Sequence, residues 1–182
     1  MIKNYHSSDI HECLLMNIVL NTELSFNDKT YDINEYDVQS LISTFLRRNI
    51  DNSKFTILRE SHGKYDCLIL DKEKKSPLIL YEIKTFLKPR ENLTNTAYGK
   101  VLKDFLKLKK GITDFSGSRA YFILVCRHAK IRNAIDDFAF IKKHQNGDKS
   151  FTTLKEKKIT LRLRPSRKII IERVTAYSWE IL

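Results

Sequence analysis

The sequence predicts an α/β fold, a mixed β-sheet flanked by helices, with an additional C-terminal β-hairpin. Three observations carry this. Residues 120–126, Ala-Tyr-Phe-Ile-Leu-Val-Cys, are apolar on both faces, as a strand covered by helices on both sides must be. Residues 65–70 and 78–86 are apolar strand-like runs joined by a charged segment, 71–77. Val38, Leu41, Ile42, Phe45 and Leu46 recur at helical spacing just ahead of them.

In chain order, residues 9–20 read as a first helix, with Ser8 or Asp9 as its cap. Asn34 caps the second, Asp37 lies in its first turn, and Arg47-Arg48-Asn49 marks its end. Three strands follow at 55–60, 65–70 and 78–86, the first two parted by Ser61-His62-Gly63. A third helix spans 95–110, closed by Gly111, with Tyr98, Val101, Leu102, Phe105 and Leu108 as its apolar stripe. The buried strand 120–126 comes next, then a fourth helix over 131–143 and a polar loop at 145–150. Ile159, Leu161 and Leu163 alternate with cations, Pro165-Ser166 turns the chain, and strands at 168–174 and 176–181 close the fold.

At 182 residues the chain is read as a single domain, 1–182, with its core over about 34–127 and a basic strand region over about 155–182. Its formal net charge is +11, which points to a polyanionic partner, most simply nucleic acid. Cys13, Cys67 and Cys126 are too far apart for a metal site and odd in number, so they read as buried free thiols of a reducing cytosol. No signal-peptide or membrane-spanning run is present, and the expected location is cytoplasmic.

The chemistry concentrates in Tyr81-Glu82-Ile83-Lys84 and in Asp66 on the strand before it. Strand alternation aims Glu82 and Lys84 the same way, and a hairpin pairing lets Asp66 reach Glu82. Two carboxylates on adjacent strands suit Mg²⁺ or Mn²⁺, hard cations that keep several waters. Lys84 is placed to orient an attacking water or to stabilise charge on a phosphate. A Glu-x-Lys on a strand is elsewhere a solvated ion pair worth about 0–1 kcal/mol. Here the apolar neighbours Leu78, Ile79, Leu80 and Ile83 put the charges near the core edge, where they need partners. Glu35, in line with Val38 and Ile42, adds a third carboxylate; Glu12 and Glu60 are weaker candidates.

Asp66, Glu82-Ile83-Lys84 and the helical Glu35 resemble the motif of the PD-(D/E)XK nuclease superfamily, the restriction-endonuclease-like fold. The order of elements from about 34 to 126 resembles that family's helix, three-strand meander, helix and strand, across about half the chain. Tyr65 stands where the family name has proline. The resemblance implies a metal-dependent endonuclease, most often cutting double-stranded DNA, with Asp66 and Glu82 as metal ligands, Lys84 as the water-positioning base and Glu35 as a supporting ligand.

Two basic surfaces are candidates for the phosphate backbone. Lys100, Lys103 and Lys107, with Lys110, lie opposite the apolar stripe of the third helix. Lys158, Arg162 and Arg164 share a strand face, followed by Arg167 and Lys168 at the turn. Solvation of a helix face is the more usual account of the first, whereas the second is the more persuasive patch, with protection of an edge strand as its alternative. A non-catalytic nucleic-acid-binding subunit of a larger complex and an RNA-cleaving toxin domain are the alternative functions, and a homodimer is an expected assembly because two strands need two cuts.

Overall fold

The computed structural model describes residues 7–27, 33–61, 65–88, 95–136, 151–152, 158–159 and 163–182. The helices are α1 (Ser7–Asn27), α2 (Glu35–Asn49), α3 (Asn95–Asp114) and α4 (Ala129–Asp136). The strands are β1 (Phe55–Ser61), β2 (Tyr65–Asp71), β3 (Ser76–Phe86), β4 (Arg119–Cys126), β5 (Phe151–Thr152), β6 (Lys158–Ile159), β7 (Leu163–Ile171) and β8 (Val174–Ile181).

Six strands form one mixed sheet in the order β1-β2-β3-β4-β8-β7, and β5 pairs with β6 separately. β1, β2 and β3 make an antiparallel meander, whereas β3 and β4 run parallel, with α3 as the crossover that a parallel pair needs. Strand alternation divides the core. Cys67, Ile69, Ile79, Tyr81 and Ile83 pack with Leu14, Ile18, Val38 and Ile42 on the side of α1 and α2. Leu68, Leu80, Phe122 and Trp179 pack with Val101, Phe105 and Leu108 on the side of α3. β4 is buried along almost its whole length between the two layers, as its apolar faces require.

α2 starts as its sequence predicts. The Asn34 side chain accepts the N–H groups of Tyr36 and Asp37, and the Asp37 carboxylate accepts the Asn34 N–H, a reciprocal capping box. α1 runs about two turns past the expected end at residue 20. Those turns carry Glu23, which is buried and ion-paired to Arg173 at 2.7 Å while accepting the N–H groups of Arg173 and Val174 at 3.2 and 3.0 Å. The extension therefore ties α1 to the turn between β7 and β8.

Gly111 does not close α3, which continues to Asp114. Gly117 instead serves the turn that follows the helix, closed by the Ser118 N–H on the Phe115 carbonyl, and its φ of +87° suits glycine. The role of Gly111 is close approach, since a Cβ there would lie 2.4 Å from Leu80 Cδ1 and 2.5 Å from Tyr65 Oη. Both neighbours are buried, so Gly111→Ala is expected to lower stability by about 1–3 kcal/mol, against a helix-propensity gain of about 1 kcal/mol. Urea unfolding of the two proteins measures the balance.

The C-terminal hairpin is not an appendage, because β8 pairs with β4 and extends the main sheet. Pro165-Ser166 is not its turn but an irregularity inside β7, where the register shifts between Arg164 and Arg167. The chain reverses at Glu172-Arg173, with Glu172 at φ +47°. Trp179 and Tyr177 fill the core on the α3 side. Cys67 and Cys126 are buried as expected, but Cys13 is exposed, because it lies on the outward face of α1. The described part of the fourth helix starts two residues before the expected 131, and residues 137–143 and the loop 145–150 lie outside the described residues. No helix among the described residues is long and apolar enough to cross a membrane.

Candidate active site

β2 and β3 part company next to the charged motif. Their pairing stops at Cys67 opposite Tyr81, while β3 continues to Phe86 alongside β4 alone. The next N–H groups on the β2 side of β3 thus have no strand to bond, and a partly buried N–H needs an acceptor. Carboxylates supply it. Asp66 Oδ2 accepts the Ile83 N–H at 2.7 Å, and Glu35 Oε2 accepts the Thr85 N–H at 3.3 Å. Glu35 reaches this position as the first residue of α2, whose start the Asn34 cap holds in place.

Glu82 and Lys84 project from this splayed end of β3. Strand alternation puts Glu82 on the same side of the sheet as Leu80, facing α3, and Asp66 on the same side as Leu68. Asp66 and Glu82 therefore share a face, as the hairpin pairing predicts. The Lys84 ammonium binds both oxygens of Glu35, at 2.9 and 3.1 Å. Burial opposes the charge on Lys84, but the Glu35 carboxylate outweighs it and holds the pKa above the ordinary lysine range.

Two residues of α3 complete the cluster, and one was missed from the sequence. Asp104 is in electrostatic contact with Lys84, Asp66, Lys107 and Glu35, and burial pushes its pKa up to about 6. The signal was present: Asp104 lies three residues after Val101 and four before Leu108, so it interrupts the apolar stripe with a carboxylate. The other residue is Lys107, whose ammonium stands 2.5 Å from Glu82 Oε1. It does not belong to the solvent face with Lys100 and Lys103, which are exposed. It turns inward because a four-carbon stem can cross the edge of the helix to a buried carboxylate.

Glu82 is the most buried of these acids, at 3 % exposure. Burial first, and then the neighbouring Asp66 charge, push its pKa up to about 8 despite Lys107. Apart from that ion pair, its Oε1 accepts no well-directed hydrogen bond among the described residues. Burial likewise raises the pKa of Asp66, against the pull of the Ile83 N–H.

The remaining candidates fall elsewhere. Glu12 and Glu60 are exposed. Lys168 lies within β7 opposite Tyr177 rather than at a turn, with its ammonium 5.2 Å from that ring. Arg164 and Arg167 belong to β7, and Arg162 lies outside the described residues.

The donor set is one of hard oxygens. Among the described residues no group of three or more His, Cys, Asp or Glu is close enough to hold a metal ion. Asp66 and Glu82, two mutually repelling carboxylates on one sheet face, suit a cation that keeps most of its own waters, as Mg²⁺ does. The buried, proton-hungry Glu82 is the observation that such a cation would relieve. Comparison with protein-family models, characterised proteins and solved structures gives no match to this chain.

Proposed function

We propose that this protein is a divalent-metal-dependent nuclease with a restriction-endonuclease-like core, hydrolysing phosphodiester bonds in double-stranded DNA. The observation that carries the reading is the buried Glu82 carboxylate beside Asp66, with the Lys84 ammonium projecting from the same splayed strand end. Asp66 and Glu82 would hold Mg²⁺ or Mn²⁺ as two ligands, with the remaining positions left to water and substrate, while Glu35, paired with Lys84, would support the site from α2. When bound, the cation acts as a Lewis acid toward the phosphate and makes a bound water more acidic.

The chain's own residues set the rest. Lys84, whose pKa the Glu35 carboxylate raises, is placed to position the attacking water and to donate to a phosphate oxygen, stabilising the charge that develops there. Glu35 fixes the direction of that ammonium from the start of α2. Asp66, held by the Ile83 N–H, keeps its carboxylate oriented before substrate arrives. The net charge of +11 draws in the polyanion, with Lys100 and Lys103 exposed on α3 and Lys168 on β7. Two cuts in a duplex call for a homodimer or a larger complex.

One observation favours a non-catalytic nucleic-acid-binding module: Asp66, Glu35 and Glu82 each already bond an N–H or ammonium group. Incubating the protein with plasmid DNA, tRNA and total RNA, with EDTA, Mg²⁺ or Mn²⁺, separates the readings. Nicking or linearisation of the plasmid with the cations alone is the expected result. A gel shift with no cleavage of any substrate would establish the binding module, and cleavage of RNA alone would establish a ribonuclease.

A further inference from the structure

We propose that Lys107 is a tethered counter-ion, whose ammonium occupies the place on Glu82 that a divalent cation takes and swings away when the cation binds. This rests on the metal-dependent reading of the same site. The geometry is asymmetric in the way such an exchange needs. The Glu82 side chain is 4 % exposed, whereas that of Lys107 is 30 % exposed, so the ammonium enters from the solvent side and can return there. Its backbone need not move. α3 is fastened to the sheet by Phe105, Leu108 and Gly111, all buried against β3 and β4, and only a flexible four-carbon stem has to swing.

The displaced ammonium has somewhere to go. Asp104 lies one helical turn earlier on α3, on the side facing the cluster and within electrostatic reach of Lys107. The Tyr65 ring, 5.1 Å from Nζ, supports the stem's outer positions, and the Tyr65 hydroxyl donates to the Lys107 carbonyl at 3.5 Å. In the cation-free protein, once Glu82 is ionised, Lys107 neutralises a carboxylate that would otherwise be buried without a counter-charge. In the loaded protein the same positive charge becomes available at the site's mouth, where a phosphate arrives. A monovalent side chain and a divalent ion then compete for one oxygen, which links readiness for substrate to metal occupancy.

Two measurements on the full chain test this. Isothermal titration with Mn²⁺ at a fixed ionic strength and at a pH where Glu82 is ionised, about 8, is expected to give about tenfold tighter binding for Lys107→Gln than for the wild type, since a competing charge is removed. Lys74→Gln, exposed in the turn between β2 and β3, serves as control and should leave the affinity unchanged. In the wild type, amine acylation followed by mass spectrometry should show Lys107 becoming more reactive on adding Mn²⁺, with Lys103 constant; this arm needs no variant to fold. If the wild type binds Mn²⁺ but Lys107→Gln binds no tighter and Lys107 labelling does not rise, the counter-ion role is wrong and the nuclease reading stands. If Lys107→Gln binds Mn²⁺ and the wild type does not, the counter-ion role stands and metal-dependent cleavage by the wild type fails. If neither binds Mn²⁺, both fail.

Discussion

Asp66→Ala, Glu82→Ala and Lys84→Ala are each expected to remove metal-dependent cleavage, while the protein still shifts duplex DNA on a gel. The size of the loss follows from what each group does. A single positioned electrostatic group in a partly dry site is worth about 10²–10³ in rate, and a lost metal ligand takes the cation with it. Binding survives because the exposed lysines of α3 and the wider charge of +11 supply it. The three variants should differ in stability. Asp66→Ala leaves the Ile83 N–H without its acceptor and is expected to cost about 1–3 kcal/mol. Lys84→Ala leaves Glu35 its bond to the Thr85 N–H and costs less. Glu82→Gln removes a buried charge and should keep the fold while losing cleavage. Wild-type cleavage rates in all these variants, measured on supercoiled plasmid beside urea unfolding, would remove the proposed mechanism.

The second large effect is on stability against pH, and it runs opposite to the usual carboxylate. Glu82 ionises near its ordinary 4.5 in the unfolded chain but only at about 8 when folded. Between those values the folded protein holds a proton that the unfolded chain has lost, so stability falls as pH rises through that window and levels off above it. Asp104 acts in the same sense between its ordinary 3.8 and about 6. The combined fall is on the order of a few kcal/mol. In EDTA, the melting temperature of the wild type should drop from pH 5 to pH 8 relative to Glu82→Gln, which lacks the titrating group. Mg²⁺ binds the ionised form, so it should stabilise most near pH 8 and close part of that gap. A wild-type curve parallel to that of Glu82→Gln in EDTA would show that burial does not hold a proton on Glu82.

The sequence was most informative where one local rule acted alone. Alternating faces along β3 put Glu82 beside Lys84, and the asparagine before Glu35 started α2 where the capping pattern said it would. It was least informative where a residue type served a contact made by a distant segment. Gly111 resembles a helix stop, yet the helix continues, and Leu80 and Tyr65 approach so closely that any larger residue there must displace them. Pro165 resembles a turn, yet β7 absorbs it as a register shift at the sheet's outer edge, where a missing N–H costs no ladder bond on the open side.

What the sequence determined by itself was the α/β pattern, the shared face of Glu82 and Lys84, and a net charge of +11. Those depend on period and composition, which are local properties of the chain. Only the tertiary structure decided which acids and cations meet. Glu35 reaches Lys84 because β2 ends its pairing early and leaves a gap that the start of α2 fills, and Asp104 with Lys107 join because α3 crosses over that gap. Long-range packing sets these encounters, since a side chain's partner depends on where a different segment is buried, and no spacing along the chain records that.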